Sequence, residues 1–216
     1  MCKVGRVSPR SATTRTDILR AARTLIETAP FAEVTLGRVA SAAGVSRQAV
    51  YLHFGSKSQL LLALVTWMDQ HGRLPRLLAA AGQSQDPVQA LLEAVKGAAS
   101  YNADVAGVGL ALRAARQSDP AAAQAWEDRM AGRINTIRGF VQPLADAGRL
   151  RPQWNAVTAC DAIFALISLT VYEDLVKERG WSRRRYADHV VSIIHHAFIA
   201  PEPDNKDLRG SPPLRG

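Results

Sequence analysis

An all-α fold is predicted, and three observations carry that prediction. Apolar residues, alanine and leucine above all, recur at helical spacing, while the period-two alternation that marks half-buried strands is rare. Capping residues stand before the periodic stretches: Thr14, Thr35, Ser46, Ser56, Asp86, Asp119, Asn155 and Ser182. Stop signals follow them at Gly44, Gly72, Gly180 and Pro201. The chain has 216 residues, 47% of them hydrophobic, which is enough to bury a core in one or two domains. About nine helices are expected.

Residues 1–13 read as a flexible basic arm. The first helix should run from about Arg15 to Thr28, with Asp17 in its first turn, where the helix dipole favours a carboxylate. Its apolar positions Ile18, Ala21, Ala22, Leu25 and Ile26 share a face. Pro30 and Phe31 end it. Thr35 then caps a short helix, Leu36 to Ala43, and Gly44 stops it. Ser46 caps the next helix. Ser56 and Gln59 form a capping-box pair that opens a fourth helix running toward Gly72. Asp86-Pro87 and Asp119-Pro120 are N-cap-plus-N1 pairs. They should open helices over about 88–102 and 121–147, with a shorter one over about 108–117 between them. Pro143 should kink or shorten the longer of these. One apolar helix is predicted from Asn155 to about Arg179 and a last one from Ser182 to about Ile199. The tail, 201–216, is rich in Pro, Gly and charge and should be disordered.

Charge is unevenly placed. Residues 1–60 hold nine Lys/Arg against three Asp/Glu, a net of +6 out of +8 for the whole chain. A basic first quarter fits an anionic partner, although solubility alone accounts for it equally well. No apolar leader follows the first basic residues, and Ala162–Tyr172 is too short an apolar run to cross a bilayer, so a cytoplasmic protein without membrane contact is expected. Cys2 and Cys160 are expected to be free thiols. No metal or cofactor motif is visible, no carboxylates pair with a His or Cys in a catalytic arrangement, and an enzyme is not expected.

The stretch around "AAGVS" has the form of a helix-turn-helix: a cap, a short helix, a turn with glycine, a second cap and a second helix. In the second helix Val50 and Phe54 form a stripe that can bury, whereas Gln48 points away from it, because each residue turns the helix by about 100°. Arg47 and Tyr51, four apart, share another stripe. Arginine and glutamine forks match guanine and adenine edges in the major groove, and the first turn of such a helix is where bases are read. Tyr51 and His53 suit phosphate oxygens. Lys57 opposes the dipole of its own helix, which makes sense for gripping an anion. Lys3, Arg6 and Arg10 either reach the minor groove or flanking phosphates, or remain solvated.

Residues 14–62, through "RTDILRAARTLIETAPFAEVTLGRVASAAGVS" and above all "VYLHFGSKSQLL", resemble the amino-terminal domain of TetR-type (TetR/AcrR) bacterial transcriptional regulators. The resemblance implies a three-helix helix-turn-helix DNA-binding domain over 14–60 and a helical ligand-binding and dimerisation domain over 61–200. It implies phosphate contacts from Tyr51, His53, Lys57 and Thr35, and base contacts from Arg47 and Gln48. Arg38 and the cap Ser46 are placed on the same surface. The chain departs from the family pattern at Gly37, where a basic residue is common, and at Ala49, which offers only a methyl contact in place of threonine. Further along, "VYEDLVKERGWSRRRY" looks like a subgroup of the carboxy-terminal domains.

The same resemblance implies a homodimer, a double-stranded operator and a small hydrophobic effector. The helix 155–179 is apolar almost all round and must be covered on more than one side. Dimer-interface candidates there and on the last helix are Ile163, Ile167, Thr170, Val190, Ile194 and Ala197. Candidates for a ligand pocket are Trp67, Met68, Tyr101, Leu110, Arg113, Trp126, Met130 and Phe164. The function expected is a ligand-responsive repressor released from a palindromic operator. The alternative is a dimeric small-molecule-binding or interaction protein without operator-specific DNA binding.

Overall fold

Local capping chemistry sets most of the helix starts. The side chains of Thr35, Ser46 and Ser56 accept hydrogen bonds from the backbone N–H groups of Arg38, Ala49 and Gln59. Asp86 and Asp119 cap helices whose first residue is proline. Asn155 and Thr158 form a complete capping box, and Ser182 caps the last helix. The computed structural model describes residues 9–201, with side chains from Thr13 onward. Its helices are α1 (Pro9–Thr28), α2 (Leu36–Ala42), α3 (Arg47–Phe54), α4 (Lys57–His71), α5 (Leu74–Ala81), α6 (Pro87–Ala115), α7 (Pro120–Asp146), α8 (Ala156–Leu166), α9 (Leu169–Tyr172, running on as a π-helical turn to Glu178) and α10 (Arg183–Phe198). Among the described residues the extended pairing is a single antiparallel bridge, Leu150 to Ile199. Most of the basic arm and the tail beyond Pro201 lie outside the described residues, as does Cys2; Cys160 is a buried free thiol.

Two apolar cores share α6. The first joins Ile18, Leu19 and Ala22 of α1, Val39 of α2, Val50 and Phe54 of α3 and Leu61 and Leu64 of α4 to Val108 and Leu112 of α6. The second joins Leu91, Val95 and Ala99 of α6 to Val141 and Leu144 of α7, Ile163 of α8 and Tyr186, Val190 and Ile194 of α10. α6 therefore ties the amino-terminal helices to the rest of the chain.

Four elements differ from the sequence expectation. α1 starts at Pro9, so Thr14 lies inside it and the predicted arm is shorter than 1–13. α5 was not anticipated, because Leu74-Pro75 carries no side-chain cap. α6 is one helix where two were predicted. Gly107 and Gly109 lie within it at close approaches: a Cβ on Gly107 would sit 2.9 Å from the carbonyl oxygen of Ile26, and one on Gly109 would collide with Leu169. Burial on both sides outweighs the weak helix propensity of glycine there. Gly107→Ala is accordingly expected to destabilise the protein by about 1–3 kcal/mol, read as a lower thermal midpoint, since the neighbour it meets is backbone and cannot swing aside.

The fourth difference is the break between α8 and α9. The carbonyl of Ile167 accepts the Nδ2 of Asn102 at 2.9 Å and the Nη2 of Arg133, and Ser168 recaps the chain by accepting from Val171 N–H. Partners distant in sequence thus hold the end of α8. Pro143 stays inside α7, three residues from its end, where few backbone bonds are lost.

Candidate DNA-reading surface and effector cavity

α2 and α3 pack through Val39, Ala40, Val50 and Phe54, and the turn between them uses Gly44 at φ +66°, a left-handed conformation that glycine adopts freely. That turn fixes which residues of α3 face outward. Arg47, Gln48, Tyr51 and Leu52 are exposed, Tyr51 at 45% and Leu52 at 81%, while Ala49 and His53 are half-buried. Arg47 Nη2 donates to the Tyr51 hydroxyl at 3.4 Å, and its guanidinium lies 5.5 Å from the Tyr51 ring centre. Thr35 and Ser46 spend their hydroxyls on capping. Arg38 is exposed and donates to the carbonyl of Glu33 at 3.0 Å.

Lys57 is engaged within the protein. Its ammonium donates to the carbonyls of Phe31 and Ala32 and lies 4.1 Å from the centre of the Phe31 ring, and burial pushes its pKa down. The cation that opposes its own helix dipole is compensated by carbonyls of the turn before α2. Lys57 thereby clamps α4 to the start of the helix-turn-helix.

A cavity of about 470 Å³ lies between α4, α5, α6, α7 and the α8–α9 break. Its walls are mainly apolar, with Met68 from α4, Leu74 and Leu78 from α5, Leu91, Val95 and Val105 from α6, and Trp126, Met130 and Phe140 from α7. The size and the lining suit a drug-sized apolar molecule. Polar groups are few: the Asp69–Arg129 ion pair bridging α4 and α7, Tyr101, Thr136, Asp128, Asn102 and Arg133. Asn102 is buried and donates to Tyr186 Oη at 3.1 Å as well as to Ile167. Burial pushes the pKa of Tyr101 up, aided by the nearby Asp69 carboxylate, and burial does the same for Tyr186, so both hydroxyls stay neutral.

Residues 18–64 match the family model for bacterial regulatory proteins of the tetR family. Over that segment the chain is similar to the amino-terminal domain of that family. No curated protein matches it. Solved structures that share the fold include a protein from Saccharomonospora viridis in complex with choline, 22% identical over 88% of this chain and 100% of that one, with a TM-score of 0.78. They also include FadR from Bacillus subtilis in complex with stearoyl-CoA, 21% identical over 83% of this chain and 96% of the other (TM-score 0.68), and NalD, the secondary repressor of the MexAB-OprM efflux pump in Pseudomonas aeruginosa, 22% identical over 90% and 100% (TM-score 0.64). At these identities the likeness is one of fold.

The cavity gathers Met68, Tyr101, Trp126 and Met130 out of the residues predicted to line one. The other four stand apart from it. Trp67 stacks on His71, and Leu110 does not line the cavity. Arg113 donates to Thr170 Oγ1 at 2.6 Å and pairs with Glu173, and Phe164 lies under the Arg133 guanidinium. Helical spacing marks an inward face but does not say which neighbour that face meets. Of the dimer candidates, Ile163, Ile167, Val190 and Ile194 are buried in the chain's own second core and have no surface left for a partner. Thr170 is exposed but holds Arg113, and Ala197 is half-buried, its carbonyl accepting from Trp154 Nε1. The exposed apolar residue on α8 is Val157, at 68%.

Sequence reasoning passed over Leu52 and Arg133. The spacing from Gln48 to Leu52 is one helical repeat and could have revealed the first. Nothing local marks Arg133, whose significance depends on α8 being beside it. The apolar run judged too short to span a membrane also belongs to a longer helical stretch, Ala156–Glu178, which reaches that length and composition, with an 18-residue window of mean hydropathy 1.5. Ala159, Cys160, Ile163 and Ile167 of that stretch belong to the protein core.

Proposed function

We propose that this protein is a ligand-responsive transcriptional repressor that binds a palindromic operator as a homodimer and is released when a small hydrophobic molecule fills the cavity. The observation that carries the reading is the reach of α4. Its first turn is clamped to the helix-turn-helix by Lys57, and its second half presents Val65, Met68 and Asp69 to the cavity wall. A helix that touches both sites passes a displacement at one to the other. Weakening operator binding tenfold needs only about 1.4 kcal/mol of differential ligand affinity.

Dimerisation is supported by the stretch Ala156–Glu178, whose most apolar 18-residue window is only 28% buried within the single chain. Two copies related by a twofold axis would present α3 to successive major-groove faces, about 34–36 Å apart or a multiple of that. Arg47, Gln48 and Leu52 would meet base edges, with Ala49 offering a methyl contact and Tyr51, His53 and Thr35 nearest the phosphates; Arg38 and Ser46 flank them.

Fluorescence anisotropy with duplexes tiled across the DNA upstream of the gene tests this reading. One duplex with an inverted repeat should bind at least 100-fold tighter than the others, in a ratio of two chains or a multiple of two, with affinity falling steeply as salt rises. Uniform weak binding to all duplexes, or none at low salt, overturns it.

A further inference from the structure

The cavity contains a cation with no carboxylate bonded to it. Arg133 of α7 lines it, and no Asp or Glu pairs with Arg133 among the described residues. Its Nη2 donates to the carbonyls of Phe164, at 3.4 Å, and Ile167 at the carboxyl end of α8, where the helix dipole favours a cation. The guanidinium also lies 4.8 Å from the centre of the Phe164 ring. These contacts hold it in place and use one of its three nitrogens. Nε and Nη1 make no hydrogen bond among the described residues. Burial pushes its pKa down to about 10, so it remains charged at neutral pH while lacking a counter-ion.

The other charged groups of the cavity are already engaged. Arg129 pairs with Asp69, and Asp128 accepts from Gln124. Both hydrogens on Asn102 Nδ2 are donated, to Ile167 and Tyr186. The Nε–H and Nη1–H groups of Arg133 are donors left for a ligand. Each can donate a charge-assisted hydrogen bond to a carboxylate oxygen. One negative charge balances one guanidinium, whereas a phosphate dianion would leave net charge in an apolar enclosure, and a cation would face an uncompensated like charge.

We propose that the effector is an amphipathic monocarboxylate, its carboxylate accepting from the free N–H groups of Arg133 and its apolar body lying against Met68, Leu78, Val95, Trp126 and Ile137. This rests on the cavity being the effector site, as proposed above. At about 30 Å³ per heavy atom, the share of one water in the liquid, 470 Å³ holds roughly 15 non-hydrogen atoms, so a medium-chain or single-aromatic acid is the size that fits.

The test is isothermal titration of the full chain with decanoate, decan-1-ol and decyltrimethylammonium, which share one apolar body and differ in the head. Decanoate should bind at least tenfold tighter than decan-1-ol, with the cation weakest. Arg133→Met should remove the advantage of decanoate while leaving decan-1-ol affinity within about twofold, and Arg133→Lys, which keeps the charge without the guanidinium's donors, should restore part of it. Because Arg133 also holds the end of α8, the ranking of the three ligands on the unaltered protein decides the matter if a variant fails to fold. Equal binding of decanoate and decan-1-ol, or preference for the cation, overturns the carboxylate assignment and leaves the effector cavity standing. Binding of none of the three overturns both.

Discussion

Arg47→Ala should weaken operator binding by about 2–6 kcal/mol per dimer, a loss of roughly 30-fold to more than 10⁴-fold. The range comes from about 1–3 kcal/mol for one fork-type base contact, counted twice because each subunit places the same residue in its own half-site. Arg47 is exposed in the first turn of α3, tethered only by a long 3.4 Å bond to the Tyr51 hydroxyl, so its fork is available to a base. The loss should fall on the operator and spare a scrambled duplex, lowering the specificity ratio while changing the salt slope little. Anisotropy titrations on both duplexes at several salt concentrations measure this. If both duplexes weaken equally, Arg47 grips phosphate, and base reading passes to Gln48 and Leu52, the outward residues one helical repeat apart.

The second large effect is expected from a residue far from DNA. Asn102→Ala should lower stability by roughly 2–4 kcal/mol, which for a chain of this size is a fall of roughly 5–15 °C in the thermal midpoint. Asn102 is the one buried polar side chain among the described core residues, and its two donated bonds join α6 to the end of α8 and to α10. Removing it leaves the buried Tyr186 hydroxyl without its donor, and Ile167 keeps only the Arg133 bond. Adding Tyr186→Phe, which deletes the orphaned hydroxyl, should recover part of the loss, so the double variant should be more stable than the sum of the two single effects. A midpoint unchanged within about 1 °C in Asn102→Ala would mean that this pair of bonds contributes nothing to the fold.

The candidate site was legible where its chemistry is local. The helix-turn-helix shows in the cap at Ser46, the glycine at 44 and the outward spacing of Arg47, Gln48 and Tyr51, all of which act within two or three turns of chain. The binding role given to Lys57 was less secure, because its ammonium finds the carbonyls of Phe31 and Ala32, residues brought to it by the fold. The cavity was half legible: large apolar residues on α4, α6 and α7 signalled a shared interior, but of Trp67 and Met68, neighbours on one helix, Trp67 packs against the first core and stacks on His71 while Met68 forms cavity wall.

The sequence by itself determined an all-helical chain, the starts of most helices and the face of α3 that turns outward, because periodicity and capping bonds join residues three or four apart. Tertiary structure alone decided that α6 runs unbroken past Gly107, that α8 ends at Ile167, that Ile163 and Ile194 belong to the subunit's own core and that Arg133 stands unpaired in a cavity. Each of those outcomes depends on what lies across a packing interface, and the residues that meet there are dozens of positions apart along the chain.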